Sequence, residues 1–400
     1  MSQENAQLKQ RIQELVSVSF QELNGLSRFL HENPETAFNE RKASEKLCAL
    51  MEEKGFSVEK GIGGLETAFK AASRHGTGSP VFAFIAEYDA LPEIGHACGH
   101  NLIAAMSAGA AVAVDKVLEE AGLNGTVVLM GTPAEEKGGG KVTLVEAGSF
   151  DGIDCALMVH PSAQTKVEDR TLASTRLVLK YSGKSAHAAA SPWNGANALE
   201  AVIQTFNQVN AWRCQLRDFA RINGIITSGG TVVNIIPEYA EASFGIRAAD
   251  REYLEELVEK VRRCANNAAS SMGVSVDIAR MGRGYDAIMN NPVLCDLMAA
   301  NFSQAGEEVV PRREDAGLAS TDMGNVTQCL PSAHCYVKIR SGIEQHTVEF
   351  AQACVGPDAE KALAAGAKAM GMTALDLFSD PSLLTEVRAA FKRGKSPDGR

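Results

Sequence analysis

The sequence predicts an α/β fold, in which a mixed, mostly parallel sheet flanked by helices is interrupted by an inserted α+β unit. Short apolar runs alternate with helical patterns in the first part of the chain, the pattern changes near Thr171, and the alternation resumes from about Asn290. We therefore predict a discontinuous domain of residues 1–173 and 286–400 around an inserted domain of residues 174–285.

The first part of the chain shows helical spacing and then strand–helix alternation. Apolar residues from Leu8 to Leu30 recur at helical spacing, and a second amphipathic helix covers about residues 40–54. Continuous apolar runs are typical of parallel strands that are buried on both faces. The predicted strands are Val81–Ala86, Thr126–Gly131 and Cys155–Val159, and the helices between them are Leu102–Ala121 and Lys141–Ala147.

The inserted stretch alternates with period two, which is typical of half-exposed antiparallel strands. Two long helices are predicted at Asn194–Trp212 and Asp250–Met272, the second with Asp250 as its cap. The predicted strands are Thr175–Tyr181, Ile222–Thr227, Thr231–Ile236, Ala242–Ala248 and Val274–Ala279.

The composition argues against several classes of protein. The 400 residues are 45% hydrophobic, and the formal net charge of −10 argues against nucleic acid as a partner. The N-terminus is polar and no apolar run is long enough to span a bilayer, so we expect no membrane partner. The 9 cysteines, an odd number without paired spacing, favour reduced thiols and a cytoplasmic location.

The most informative segment runs from Glu87 to Asn101, directly after the apolar run Val81–Ala86. Open α/β sheets bind ligands just outside the carboxyl ends of their strands. Cys98 and His100 stand one residue apart in this loop, and a thiolate and an imidazole both suit zinc. Taken alone, the pair leaves metal binding, a nucleophilic cysteine and a buried thiol as alternatives.

Two further strand ends carry donor groups. Glu135 and Glu136 follow the strand that ends at Gly131. Adjacent residues on an extended segment point in opposite directions, so one carboxylate could bind metal while the other faces a water molecule. His160 ends the next strand, and as the third strand-end donor in succession it favours a ligand. His187 follows a strand of the inserted unit, where it could stabilise an oxyanion.

These residues, in this order, resemble the co-catalytic zinc aminoacylase and carboxypeptidase G metallopeptidase family. The similarity extends from His31–Glu35 to His346–Phe350 and is greatest in the amidohydrolase branch with cysteine in the metal loop, which includes auxin-conjugate hydrolases. The segments 87–92, 95–101 and 320–325 are most similar to the β-alanyl-lysine dipeptidase group, followed by p-aminobenzoyl-glutamate hydrolases. The resemblance implies a zinc exopeptidase fold with an inserted lid and dimerisation domain.

The resemblance also implies a metal centre with two divalent ions per chain. Cys98 would bridge the ions, His100 and His160 would complete one site, and Glu136 and His346 would complete the other. The assignment of His346 depends mainly on the resemblance. Zinc is the expected metal, with manganese, cobalt or nickel as alternatives.

The remaining roles implied by the resemblance concern catalysis and substrate binding. Glu135 would be the general base, and Asp89 would orient a ligand histidine. His187 would reach the active site of the partner subunit in a homodimer and hold the oxyanion. Asn234 and Arg247 would lie near the substrate carboxylate.

Two positions leave alternatives open. Glu87 stands where other branches have a histidine, which allows weakening of one metal site and occupancy by a single ion. His334 lies between Cys329 and Cys335 but lacks a fourth donor, which favours a substrate-pocket or structural histidine over a second metal cluster.

The function that follows is metal-dependent hydrolysis of the amide bond of a small dipeptide or N-acyl amino acid, with a metal-activated water as nucleophile. A p-aminobenzoyl-glutamate-type amidohydrolase is the nearest alternative. A hydrolase with Cys98 as nucleophile would leave Glu135, Glu136 and His160 without a function. A non-catalytic binding protein on the same scaffold would be indicated by a missing general base, whereas Glu135 is present.

Overall fold

The protein forms two compact units in a computed structural model that describes residues 3–311 and 319–395. The described part of the first unit comprises residues 3–170, 288–311 and 322–395, and that of the second comprises residues 171–287 and 319–321.

The first unit contains a six-stranded sheet. Its strands are β1 (Ser57–Lys60), β2 (Phe69–His75), β3 (Val81–Ala86), β4 (Gly125–Gly131), β5 (Cys155–Ser162) and β10 (Ser332–Lys338). Their spatial order is β1-β2-β4-β3-β5-β10. The four strands β4, β3, β5 and β10 run parallel, and β1 and β2 add antiparallel pairings at one edge. The predicted mixed, mostly parallel sheet is therefore confirmed.

Helices complete the first unit. They are α1 (Gln3–Val18), α2 (Phe20–Glu32), α3 (Arg41–Glu53), α4 (His100–Ala121), α5 (Gly140–Glu146), α8 (Pro292–Gln304), α9 (Met323–Cys329), α10 (Val348–Ala353), α11 (Pro357–Ser379) and α12 (Pro381–Gly394). The prediction that no apolar run is long enough to span a bilayer is wrong: helix α4 is long and apolar enough to cross a membrane, but 83% of its most apolar window is buried inside the protein. A helix that is apolar all round and covered in this way forms part of a protein core.

The central strands are apolar on both faces because both faces are covered. Along β3, Phe82 and Phe84 belong to one hydrophobic cluster, whereas Ala83 and Ile85 belong to another. Successive side chains of a strand point to opposite faces, so the two clusters lie on opposite sides of the sheet. This double burial explains why continuous apolar runs, rather than alternating ones, mark these strands in the sequence.

The parallel strands bring their carboxyl ends to one edge of the sheet. Ala86 at the end of β3 pairs with Gly131 at the end of β4, and Phe84 pairs with Leu157 on β5. The segments that follow these strands therefore begin side by side. This edge is where the sequence places its donor residues.

The second unit has a four-stranded antiparallel sheet and two helices. Its elements are β6 (Ala173–Ser182), α6 (Ala198–Ala211), β7 (Arg221–Ser228), β8 (Tyr239–Ala248), α7 (Arg251–Met272) and β9 (Ser275–Tyr285), with the strand order β7-β8-β6-β9. Side chains from β6, β8 and both helices form its core, among them Leu179, Phe244, Val202 and Leu257.

In the second unit one strand prediction is wrong, and one predicted helix begins later than expected. Residues Thr231–Ile236 form an exposed turn with one isolated bridge, between Ile235 and His187, instead of a strand. Gly230, with a φ of +105°, breaks the extended run before it, and Pro237 lacks the N–H that a ladder needs after it. The predicted helix at Asn194 begins only at Ala198, because the Asn197 side chain accepts the N–H groups that follow and so fixes the helix start.

Candidate metal centre and active site

Cys98 is buried in the loop between β3 and α4, and His100, the first residue of α4, is buried beside it. Gly99 between them has a φ of +80°, and a Cβ at this position would lie 2.3 Å from Pro161 Cγ and 3.1 Å from Cys354 Sγ. Only glycine fits such a conformation in such a space. The close packing of this turn against Pro161 holds the Cys98 thiol beside the end of β5.

Six side chains offer metal-donor atoms in three overlapping groups, and the atoms of each group lie within 4.8 Å of one another. The groups are Cys98–His100–His160, Cys98–Glu136–His346 and His100–Glu135–Glu136. Cys98 belongs to the first two groups, which is the position that a bridging thiolate requires. The structure thus brings together the five residues proposed as ligands and the carboxylate proposed as base.

Two histidines of this cluster have their Nδ1 atoms engaged. His100 Nδ1 lies 2.8 Å from Asp89 Oδ1, and His160 Nδ1 lies 2.7 Å from the carbonyl oxygen of Pro161. A ring that donates from Nδ1 presents Nε2 as its metal-binding atom. His160 Nε2 lies 3.4 Å from Cys98 Sγ. Burial and His100 lower the pKa of His160 to about 4, so its ring is neutral at pH 7.

Negative charge surrounds His100. Burial opposes its protonation, but the carboxylates of Asp89 and Glu87 outweigh burial and raise the pKa of His100 well above its usual value. Glu87 Oε2 lies 3.3 Å from His100 Nε2. A pocket that favours a proton on this nitrogen so strongly also favours a metal cation in the same place.

Asp89 connects the two halves of the cluster. One carboxylate oxygen faces His100, and the other accepts the backbone N–H of Glu136 at 2.9 Å. Asp89 therefore fixes both the ring of His100 and the backbone of Glu136, which lies in the loop after β4.

His346 reaches the cluster from a distant part of the sequence. Its backbone N–H donates to the carbonyl of Ala97 at 2.9 Å, and its Nε2 lies 3.4 Å from Glu136 Oε2. The residue has a φ of +63° and its side chain is 54% exposed. A non-glycine residue in this strained conformation often marks a functional site.

Glu135 follows Ala134, which also has a positive φ, of +62°. Burial, and after it the carboxylates of Glu87 and Asp322, raise the pKa of Glu135 well above its usual value. A carboxylate with a raised pKa is a stronger base and can hold a proton between two transfer steps.

The sequence analysis did not identify Lys141 and Asp322, which form a buried ion-pair chain with Glu87. Lys141 Nζ lies 2.6 Å from Glu87 Oε1 and 2.6 Å from Asp322 Oδ1, and all three side chains are at most 1% exposed. The backbone N–H of Lys141 also donates to Asp322 Oδ2 at 2.9 Å. A lysine within the apolar segment 140–147 was the available signal, because such a lysine must be paired if it is buried.

The donor cluster fits divalent metal ions. His100 Nε2 and Glu136 Oε1 are buried, lie 3.9 Å apart and have no hydrogen-bond partner in the part of the chain that the structure describes. A buried polar atom without a partner is costly, and cations held by this cluster would satisfy both atoms. Thiolate, imidazole and carboxylate together suit zinc and neighbouring transition metals.

His334 lies beside this cluster on β10. Its ring centroid is 5.8 Å from that of His160 and 4.7 Å from that of Tyr336. Burial lowers the pKa of His334 to about 3, and neither ring nitrogen has a hydrogen-bond partner among the described residues. Tyr336, which the sequence analysis did not single out, pairs with His160 across the two strands.

The second unit holds the other three candidate residues. The exposed His187 and Asn234 are neighbours, because the N–H of Ala188 donates to the carbonyl of Asn234 at 3.0 Å. His187 Nδ1 accepts the N–H groups of Ala189 and Ala190, which leaves Nε2 as its donor atom. Arg247 lies on β8, where its guanidinium donates to Ser320 Oγ at 2.9 Å.

Comparison with known sequences shows relatives along almost the whole chain. The sequence model of peptidase family M20/M25/M40 matches residues 83–375. The chain is 37% identical over 400 residues to the Xaa-Arg dipeptidase of Mus musculus, and the match covers 96% of this chain and 92% of the relative. It is 29% identical over 449 residues to a p-aminobenzoyl-glutamate hydrolase protein of Escherichia coli, with 94% of this chain and 93% of the relative covered.

Solved structures show the same fold at low sequence identity. The YxeP protein of Bacillus subtilis, described as a dinuclear metal binding peptidase, matches with a TM-score of 0.71 at 21% identity, covering 91% of this chain and 99% of that protein. An aminobenzoyl-glutamate utilization protein from Klebsiella pneumoniae matches with a TM-score of 0.68 at 20% identity, covering 91% and 97%.

Proposed function

Because this chain belongs to peptidase family M20/M25/M40 and is therefore a metal-dependent hydrolase of amide bonds, we propose that it cleaves dipeptides with a basic C-terminal residue. The main structural support for amide hydrolysis is the position of the Glu135 carboxylate, which lies in one donor group with His100 and Glu136. The substrate class is supported by the similarity to the Xaa-Arg dipeptidases of mouse and human, at 37% and 36% identity.

The proposed metal centre uses the two groups that share Cys98. Cys98, His100 and His160 would hold one ion, and Cys98, Glu136 and His346 would hold the other. Zinc suits this donor set, and manganese, cobalt and nickel are the alternatives. A divalent ion held there supplies Lewis acidity, which polarises a carbonyl and lowers the pKa of water from about 16 towards about 7.

Glu135 would carry the proton during the reaction. Its half-buried carboxylate accepts a proton from the attacking water, and its raised pKa lets it keep that proton while the amide carbon becomes tetrahedral. Glu135 then delivers the proton to the leaving amine. Asp89 keeps His100 and the backbone of Glu136 in place throughout.

His187 would stabilise the oxyanion across a homodimer. Its Nε2–H is the group available for donation, and a hydrogen-bond donor aimed at a developing oxyanion lowers the barrier to acyl transfer. The proposal of a homodimer through the second unit is supported by the edge position of β7 in its sheet. Large exposed apolar side chains on or near this edge are Ile225, Ile226, Val232, Val233 and Ile235.

The remaining residues would select the substrate. Asn234 and Arg247 offer an amide and a guanidinium, which suit the C-terminal carboxylate of a dipeptide or N-acyl amino acid. His334, with two nitrogens that lack partners among the described residues, would contact the substrate beside His160. The proposed location remains the cytoplasm, where the Cys98 thiol stays reduced.

A second candidate substrate is p-aminobenzoyl-glutamate, which the 29% identity to the Escherichia coli hydrolase protein favours. A nucleophilic Cys98 is disfavoured by the structure. Burial raises the pKa of the Cys98 thiol well above its usual value and leaves the residue 7% exposed, whereas nucleophilic cysteines need a lowered pKa and access.

The test is amine release from a matched panel: dipeptides that share one N-terminal residue and end in Arg, Lys, Ala or Glu, together with p-aminobenzoyl-glutamate. Each substrate is measured after chelation and after return of zinc, manganese, cobalt or nickel. We expect turnover only with metal and the highest kcat/KM for Arg or Lys. Preference for p-aminobenzoyl-glutamate would replace the substrate proposal, and chelator-resistant turnover would contradict the metal mechanism.

A further inference from the structure

Glu40 is a fully buried carboxylate that no part of the proposed reaction uses. It directly precedes α3, a position where a carboxylate commonly caps its own helix. Its side chain instead binds the residue two positions before it and two residues from other segments. Oε1 accepts the backbone N–H of Phe38 and that of Ala134, both at 2.9 Å, and Oε2 accepts the hydroxyl of Thr67 at 3.0 Å.

The two residues held by Oε1 share an unusual backbone conformation. Phe38 has a φ of +63° and Ala134 has a φ of +62°, in the left-handed region that residues with a Cβ rarely adopt. Such conformations persist only where the surrounding structure enforces them. One oxygen of Glu40 therefore holds two strained residues from distant parts of the chain.

Ala134 is the residue that aims the general base. Its N–H is bound by Glu40, and its carbonyl accepts the N–H of Gly139 at 2.9 Å. The peptide group that follows leads directly into Glu135. With both sides of Ala134 fixed, the direction in which the chain enters Glu135 is also fixed.

A second contact joins the same two segments. A Cβ at Gly138 would lie 2.3 Å from Cε2 of Phe38, so the ring of Phe38 packs directly against the backbone of the loop that carries Glu135. The backbone carbonyl of Glu35 also accepts the N–H of Ala90 at 2.8 Å. Residues 35–40 thus contact the loop after β4 and the loop after β3.

We propose that Glu40 is a positioning residue, which sets the orientation of Glu135 by holding the N–H of Ala134. This inference rests on the proposed role of Glu135 as general base. Glu40 acts through its acceptor oxygen, so glutamine, which keeps that oxygen, should replace it, whereas alanine should not. A misplacement of about 1 Å in a reacting group can cost about 100-fold in rate.

The test is a double-mutant cycle between Glu40 and Glu135 with metal-loaded protein. We expect Glu40→Ala to lower kcat by about 100-fold with KM changed by less than about threefold, and Glu40→Gln to stay within about threefold of the parent. In a Glu135→Gln background, Glu40→Ala should lower the residual rate by less than about threefold, because the two residues act as one unit. A full further loss in that background would overturn the proposal.

Glu35→Ala is the matched control. It removes a carboxylate from the same segment, where Glu35 Oε2 accepts the N–H of Ala43, but it leaves the Glu135 loop untouched. We expect its kcat to equal that of the parent. If Glu35→Ala lowered kcat as much as Glu40→Ala does, any damage to this segment would be enough to slow the reaction. That result would overturn the specific role of Glu40.

Backbone amide exchange at Ala134 gives a readout that is independent of turnover. Exchange should accelerate in Glu40→Ala and stay at the parent rate in Glu40→Gln and Glu35→Ala. Unchanged exchange in Glu40→Ala would refute the inference even in an active enzyme. If the parent hydrolysed none of the substrates, the proposed function would fail, and exchange alone would decide whether Glu40 holds Ala134.

Discussion

The carboxylate of Asp89 lies 2.8 Å from His100 Nδ1, and both side chains are buried. This contact assigns the Nδ1 proton to the hydrogen bond and directs Nε2 towards Cys98 and Glu136. The metal-binding face of the ring is thus determined by a residue that does not itself belong to a donor group.

Substitution of Asp89 by Asn should weaken metal binding by about 10- to 100-fold, because the His100 ring loses its charged acceptor. Calorimetric titration of metal-free protein measures this affinity. Asp115→Asn is the control, since Asp115 Oδ1 makes an equivalent contact of 2.7 Å with His75 Nε2 outside the donor groups. Equal affinities in parent and Asp89→Asn would remove Asp89 from the metal centre.

Substitution of Lys141 by Met should destabilise the protein by about 3–5 kcal/mol, because Glu87 and Asp322 would keep buried charges without their cation. Urea unfolding of metal-free protein measures the loss. Lys116→Met is the matched control: Lys116 also lies 2.6 Å from a carboxylate, that of Glu119, but on the surface, and its unfolding midpoint should not move. Similar midpoints for both variants would contradict the structural role of Lys141.

Glu40 should make the free energy of unfolding depend on pH. Burial raises the pKa of Glu40 from 4.5 to about 7, and Asp89 and Tyr88 are the titratable groups that face it. A raised pKa in the folded state contributes stability that is complete below pH 4.5 and is lost as pH rises through 7. The parent should therefore lose stability relative to Glu40→Gln between about pH 5 and about pH 8.

The size of this loss follows from the pKa difference. Each pKa unit corresponds to about 1.4 kcal/mol, so the difference between the two proteins should change by up to about 3 kcal/mol over this range. Urea unfolding in the presence of chelator at several pH values measures it. A constant difference between parent and Glu40→Gln would show that Glu40 does not titrate in this window.

Mixed dimers test whether His187 acts in trans. His187→Ala and Glu135→Gln should each be inactive as homodimers. After mixing and exchange of protomers, activity should approach about one quarter of the parent, since half of the dimers mix and each mixed dimer has one complete site. Mixing Glu135→Gln with the double variant should restore nothing. Without any rescue in the first mixture, His187 would not act in trans.

The sequence predicted those parts of the fold that depend on local patterns. Val81–Ala86 is apolar at every position because both faces of β3 are covered, and this burial is visible in the sequence. The antiparallel strands β1 and β2 were not identified, since Ser57–Lys60 and Phe69–His75 mix polar and apolar residues without a clear period. The turn at Thr231–Ile236 has the composition of a strand, but its neighbours Gly230 and Pro237 prevent pairing.

The candidate site also contains some residues that local sequence patterns predict and others that they do not. Cys98 and Glu136 follow apolar strands and His160 lies near the end of one, so their meeting at one edge of the sheet could be inferred from strand direction. Lys141 and Asp322 are 181 positions apart, and Glu40 and Ala134 are 94 positions apart. Such partners are set by tertiary packing and leave no periodic signal, although a buried lysine or glutamate always requires one.

The most direct test of the central claim compares Glu135→Gln with the parent in two measurements on the same samples: metal content and turnover of the best dipeptide. If Glu135 is the general base and not a ligand, metal content should be equal in both proteins while kcat falls by about 100- to 10,000-fold. Turnover that survives the substitution at full metal content would contradict the assignment of Glu135 and the mechanism built on it.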